Sequence, residues 1–217
     1  MPGLRVAVLA SGDGTNLQSL LDAARDPKAG FTVSLVISNR ITAGALERAA
    51  RAGVRTATVA QDGDDAARLL ALLQECGAEL VVLAGYLKLV PSAVVSAYAG
   101  RILNIHPALL PAFGGAGMFG RRVHEAVLAS GARVSGPTVH QVDERFDQGT
   151  IVAQWPVPVK AGDTPETLAA RVLEAEHHLL PAVVRAWAKG GAASLSLAAP
   201  AFGPASALPA LSDALAP

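Results

Sequence analysis

Short apolar runs recur along the first half of the chain, at residues 5–10, 31–38, 56–60 and 78–85, and a fifth opens at residue 101. The strongest of them are apolar at successive positions and rich in Val, Leu and Ile, the pattern of strands buried on both faces. Between the runs the apolar positions switch to helical spacing. Leu17, Leu20, Leu21 and Ala24 follow the first run, residues 43–52 make a short helix closed by Gly53, and a helix ending near Glu75 is stopped by Gly77. Residues 61–65 give that last helix an acidic start that suits its dipole, and Pro91 opens another helix through about Tyr98. Strand and helix alternate throughout, which predicts an α/β fold with a doubly wound, mostly parallel, Rossmann-like sheet and right-handed crossovers. Ligands of such sheets bind beyond the C-terminal strand ends, where the loops at Gly12, Gly85 and Asn104 fall.

The second half is less regular. Residues 112–120 are glycine-rich, 121–129 read as a helix carrying His124, and 136–142 as a strand carrying His140. Residues 143–149 form a turn-rich loop with Asp147 near its end. Residues 150–159 read as one strand, its end placed at a sheet edge by Pro156 and Pro158. Pro165 near the first helical position starts a long helix that holds Glu176, His177 and His178. From Gly190 the composition shifts to Ala, Ser, Leu and Pro, so residues 190–217 are expected to be a weakly ordered or loosely packed tail behind one domain at 1–189.

Composition narrows the function. Lys+Arg and Asp+Glu both number 18, which argues against a nucleic-acid binder. No apolar run approaches the roughly 18 residues of a membrane helix, and Met-Pro-Gly-Leu-Arg leads straight into a strand, so neither membrane span nor signal peptide is expected. The single cysteine, Cys76, suits a reducing cytoplasm and reads as a small hydrophobe at a helix end. CxxC and HExxH spacings are absent, so no metal is expected.

Two stretches carry candidate chemistry. In residues 101–111, Asn104 and His106 lie two apart on a strand and face the same side. An amide donor beside an imidazole suits acyl chemistry, since Asn can stabilise an oxyanion and His can move a proton near neutral pH. Pro107 and Pro111 limit continuation as helix or inner strand. Earlier, Ser11-Gly-Asp-Gly-Thr-Asn16 links a strand to a helix, an arrangement that aims backbone N–H groups at an anion. Thr15 and Asn16 are placed to cap the helix and to donate to phosphate. The loop is neither GxGxxG nor a P-loop, which favours a phosphate-bearing ligand over a dinucleotide. The competing readings are a strand end whose polar groups meet water and a plain strand-to-helix turn.

Taken together, SGDGTNLQ at 11–18, LNIHPALLPAF at 103–113 and TVHQVDERFDQGTIVAQ at 138–154 resemble the folate-dependent formyltransferases over roughly residues 5–188. The resemblance implies the formyltransferase fold, with an antiparallel extension of the sheet. It also implies formyl transfer from 10-formyltetrahydrofolate, as co-substrate, to the amine of glycinamide ribonucleotide. Asn104, His106 and Asp147 would be the catalytic trio, with Asp147 favouring the imidazolium form of His106. Gly14, Thr15 and Asn16 would hold the ribonucleotide phosphate, and Gly85 and Glu176 its glycinamide and ribose. The pterin would lie along Leu87, Lys88, Leu89 and Val90, walled by Ile102, Asn104, Val142 and the 143–147 loop, with His140 as a buttress.

The expected partners are these small molecules, with no nucleic acid or membrane, for a monomer or homodimer. The chain departs from many relatives in offering acids and no base within 61–65, with Arg68 a turn on, and in Leu87, Leu173 and a longer 114–120 loop. A tRNA-directed relative would carry a basic C-terminal domain, and a formyltetrahydrofolate hydrolase an N-terminal extension. A non-catalytic nucleotide-binding module would have no use for the trio.

Overall fold

The computed structural model describes residues 3–59 and 65–196. The expected start of the third helix at 61–64, the end of the third strand at Ala60, and residues 197–217 of the tail lie outside the described residues. The first half alternates as the apolar pattern requires: β1 (Leu4–Leu9), α1 (Thr15–Ala24), β2 (Phe31–Ser38), α2 (Gly44–Arg51), β3 (Arg55–Thr58), α3 (Asp65–Glu75), β4 (Leu80–Leu83), α4 (Ser92–Ala97) and β5 (Ile102–His106). There follow α5 (Arg121–Ala129), β6 (Val134–Ser135), β7 (Thr138–Gln141), β8 (Ile151–Gln154), β9 (Val157–Pro158) and α6 (Pro165–Ser196).

Seven strands form one sheet in the order β3-β2-β1-β4-β5-β7-β8. The first five are parallel, and β7 and β8 add antiparallel at one edge. Both faces are covered because alternate residues of each strand bury into different layers. Val6 and Val8 of β1 pack with Leu17 and Leu20 of α1 and Leu180 and Val184 of α6. Ala7 and Leu9 pack on the opposite face with Leu69 and Leu73 of α3 and Val94 of α4. The chain leaves β1 toward β2 and β3, then returns to the other side of β1 as β4, so a crevice opens between the C-terminal ends of β1 and β4.

Two expectations need correction. The run 150–159 is two strands: β8 is the sheet edge, and β9 pairs with β6 in a separate two-stranded sheet. Pro156, which has no N–H for a ladder, lies between the two strands. Neither Thr15 nor Asn16 caps α1: Gly14 is the N-cap residue, with φ 75 and no side-chain cap bond. Helix α6 is broken at Gly190 and Gly191, whose dihedrals are not helical, which matches the compositional shift at that point.

Candidate active site

Strand β5 sets the first two groups. Leu103 and Ile105 point into the core beneath α1 and α6, while Ile102, Asn104 and His106 share the other parity. The antiparallel pairing with β7 puts His140 directly opposite Asn104 and Thr138 opposite His106. Thr138 then stitches the chain after β5, its Oγ1 donating to the Ala108 carbonyl at 2.6 Å and accepting from the Leu110 N–H at 3.0 Å. The loop after β7 swings Asp147 back over this face with φ 56, a left-handed conformation that Asp tolerates better than most residues.

The trio and His140 converge as one buried network. Asn104 Nδ2 lies 3.0 Å from His140 Nε2 and 3.4 Å from Asp147 Oδ1. His140 Nδ1 lies 2.7 Å from the Gln141 carbonyl, which can only accept, so the proton sits on Nδ1 and Nε2 accepts from Asn104. His106, 3% exposed, sets Nε2 at 2.9 Å from the Phe113 carbonyl and Nδ1 at 3.5 Å from Asp147 Oδ2. The Gly115 N–H donates to the same Asp147 oxygen at 2.9 Å.

Burial lowers His106 below its ordinary value and outweighs Asp147 and the Phe113 carbonyl, which pull the other way. The expected bias toward imidazolium is therefore reversed: desolvation of a charged ring costs more than the neighbouring carboxylate returns. Burial of Asp147 acts to raise its carboxyl, but the two imidazoles and the Gly115 N–H more than offset that and hold it below the usual range.

The second group lies at the start of α1. Asn16 and Glu176, 160 residues apart in sequence, meet where α1 packs against α6, with Asn16 Nδ2 donating to Glu176 Oε2 at 2.6 Å. Glu176 is 6% exposed, and burial raises its carboxyl to about 7 against the opposing bond from Asn16. Asn16 Oδ1 is buried without a partner among the described residues. Ser11 ties the neighbouring strand ends together: its N–H donates to the Gly85 carbonyl at 3.0 Å, and its hydroxyl donates to Asn39 Oδ1 at 2.6 Å and accepts from the Leu87 N–H at 3.0 Å.

A cavity of about 690 Å³ joins the two groups. Its wall includes Asn16, Gly85, Leu87, Lys88, Leu89, Val90, Asn104, His106, His140, Val142, Asp147 and Glu176. Gly14, Thr15 and Ile102 are not on that wall. Ile102, 1% exposed, is a core residue behind it, holding the backbone of Val142 through a 2.9 Å bond to its carbonyl. At Gly14 a side chain would stand 2.6 Å from the Ala45 Cα, so glycine is needed there for the close approach of α2. The wall also holds residues to which the sequence reading assigned no role: Ser11, Arg40, Arg121 and His124. Arg121 bonds Glu125 at 2.6 Å and pairs with Glu166 across to α6. Only Ser11 and His124 had drawn notice in the sequence, one as part of a loop and the other as a helix residue.

Residues 4–184 match the formyl transferase family. The chain is 46% identical over 188 residues to a chloroplastic phosphoribosylglycinamide formyltransferase of Arabidopsis thaliana, covering 84% of this chain and 64% of that protein. It is thus a little under two thirds as long as this plant relative in the part it matches. With the phosphoribosylglycinamide formyltransferase of Escherichia coli it shares 38% identity, over 86% of this chain and 88% of that one. In three dimensions it is similar to glycinamide ribonucleotide transformylase 1 from Symbiobacterium toebii, with a TM-score of 0.81 at 42% identity, covering 87% and 89% of the two chains.

Proposed function

The chain belongs to the formyl transferase family, and from that premise we propose that it transfers the formyl group of 10-formyltetrahydrofolate to the amine of glycinamide ribonucleotide. The observation that carries the reading is the meeting of Asn104, His106 and Asp147 on one wall of a cavity whose other end holds Asn16 and Glu176. A cavity of about 690 Å³ lies in the range of small-molecule sites. Its apolar side chains, Leu87, Leu89, Val90 and Val142, suit a flat pterin, and Lys88 adds a cation for an acidic tail. The N–H groups of the first turn of α1, from Gly14 through Asn16, are offered to the ribonucleotide phosphate. Glu176 and the unpartnered Oδ1 of Asn16 are acceptors for the hydroxyl and amine protons of the same molecule.

The acceptor's own amine is the nucleophile, so the protein supplies no Ser or Cys. Its attack makes a C–N bond to the formyl carbon and puts negative charge on the formyl oxygen. Asn104 donates to that oxygen, giving up its weaker 3.4 Å bond to Asp147. His106, neutral because it is buried, takes the amine proton at Nδ1, and Asp147 beside it stabilises the resulting imidazolium. His106 then returns the proton to the folate nitrogen as its bond to the formyl carbon breaks. His140 keeps the Asn104 amide oriented. A reducing compartment such as the cytoplasm is part of the same reading and is supported by the single cysteine.

The test follows tetrahydrofolate release from 10-formyltetrahydrofolate with and without glycinamide ribonucleotide. Release that depends on the ribonucleotide is expected. Release without it would make the chain a hydrolase, and none in either case would leave it a binding module.

A further inference from the structure

Residues 113–115 are tied to both members of the His106–Asp147 pair. The Phe113 carbonyl accepts from His106 Nε2 at 2.9 Å, and two residues on the Gly115 N–H donates to Asp147 Oδ2 at 2.9 Å. Phe113 itself has φ 56, a region that bulky side chains seldom enter and in which strain is stored. The compensation comes from behind. The Phe113 ring is half-buried against Val127, Val157, Leu168, Val172 and Ala175, so three elements grip the side chain while its backbone faces the site. Gly114 cannot yield either, since a Cβ there would lie 2.5 Å from Leu110 Cδ2 and 3.1 Å from Asp147 Cβ.

The direction of the Phe113 carbonyl has a chemical consequence. A carbonyl only accepts, so the nitrogen facing it must carry a proton, and in a neutral ring the other nitrogen is then bare. We propose that Phe113 is a positioning residue for proton transfer: its strained carbonyl locks neutral His106 as the Nε2–H tautomer and makes Nδ1 the nitrogen that exchanges the proton. The inference rests on the acid–base role given to His106 above. Without the lock, the ring can place its proton on Nδ1, where Asp147 Oδ2 at 3.5 Å would accept it, and no basic nitrogen would face the substrate amine.

The decisive measurement is imidazole-nitrogen NMR on the full chain labelled at histidine, above the pH at which His106 titrates. The His106 signals are identified by their loss in His106→Asn. Wild type is expected to show a protonated Nε2 and a bare Nδ1. In Phe113→Gly, which tolerates the dihedral but loses the grip of the ring, the tautomers should mix and kcat fall roughly tenfold or more. The acid limb of kcat should also move to lower pH, because the imidazolium loses an acceptor that favours it. Phe113→Tyr keeps the ring and should restore tautomer, kcat and pH limb together.

A bare Nε2 in wild type overturns the proposal whatever the variants do, including if Phe113→Gly fails to fold. So does a fall in kcat with tautomer and pH limb unmoved, which is the behaviour of a core residue alone. If the chain transfers no formyl group, the tautomer measurement still stands by itself, and only the role in proton transfer is lost.

Discussion

Replacing Glu176 with Gln tests the buried carboxyl through stability, independently of any substrate. Glu176 is enclosed between α1 and α6 with one hydrogen-bond donor, Asn16 Nδ2 at 2.6 Å. Burial lifts its carboxyl from the ordinary 4.5 to about 7, because a charge there loses its water and gains only that one bond. The folded chain therefore keeps this proton to higher pH than the unfolded chain. Stability from this group is fully present below about pH 4.5, declines as pH rises, and is lost once pH passes about 7. At about 1.4 kcal/mol per pH unit across that span, the full effect is on the order of 3 kcal/mol. Glutamine does not titrate, and its carbonyl can still accept from Asn16. Urea unfolding of wild type and Glu176→Gln at about pH 4 and about pH 8 gives a difference in which all other titrating groups cancel. The variant should gain roughly 3 kcal/mol on wild type between the two pH values, while its KM for the ribonucleotide rises. A stability difference that stays constant with pH would refute the argument and mean that Glu176 is ionised in the fold across the range.

Other expectations follow from the same geometry. Asp147→Asn should leave the unfolding midpoint close to wild type and lower kcat by roughly a hundredfold or more, since the charge beside His106 Nδ1 is gone; turnover near wild type would remove Asp147 from the chemistry. Asn16→Ala and Thr15→Val should raise the KM of the ribonucleotide well beyond that of the folate, and equal effects on both would undo the phosphate assignment. Gly14→Ala meets the Ala45 backbone at 2.6 Å in a left-handed conformation, so thermal unfolding should show a loss of about 2–4 kcal/mol. A fully stable Gly14→Ala variant would mean that α2 can move away from the loop.

The elements read most accurately in the sequence are those with unambiguous local signals. The strand at Phe31–Ser38 is an apolar run between Gly30 and Asn39, and the helix at Arg121–Ala129 is bounded by Gly120 and Gly131; both occur as read. The division of residues 150–159 was missed because Trp155 is apolar and the proline that interrupts the ladder was taken as a strand end. Ile102 was assigned to the folate wall by its place in the motif, yet its parity on β5 sends it into the core. Asn104 and His106 were legible because period-two alternation is a local property of the chain.

What the sequence by itself determined is what depends on near neighbours: the alternation of strand and helix, the shared face of Asn104 and His106, and the three segments that identify the family. Only the tertiary structure decided the rest. It paired Asn16 with Glu176, set His140 opposite Asn104, and turned the Phe113 carbonyl toward His106. It also reversed the charge preference of His106. The physical reason is common to all four: each depends on which groups a fold brings within hydrogen-bond reach and how much water it leaves them, and neither quantity is a property of spacing along a chain.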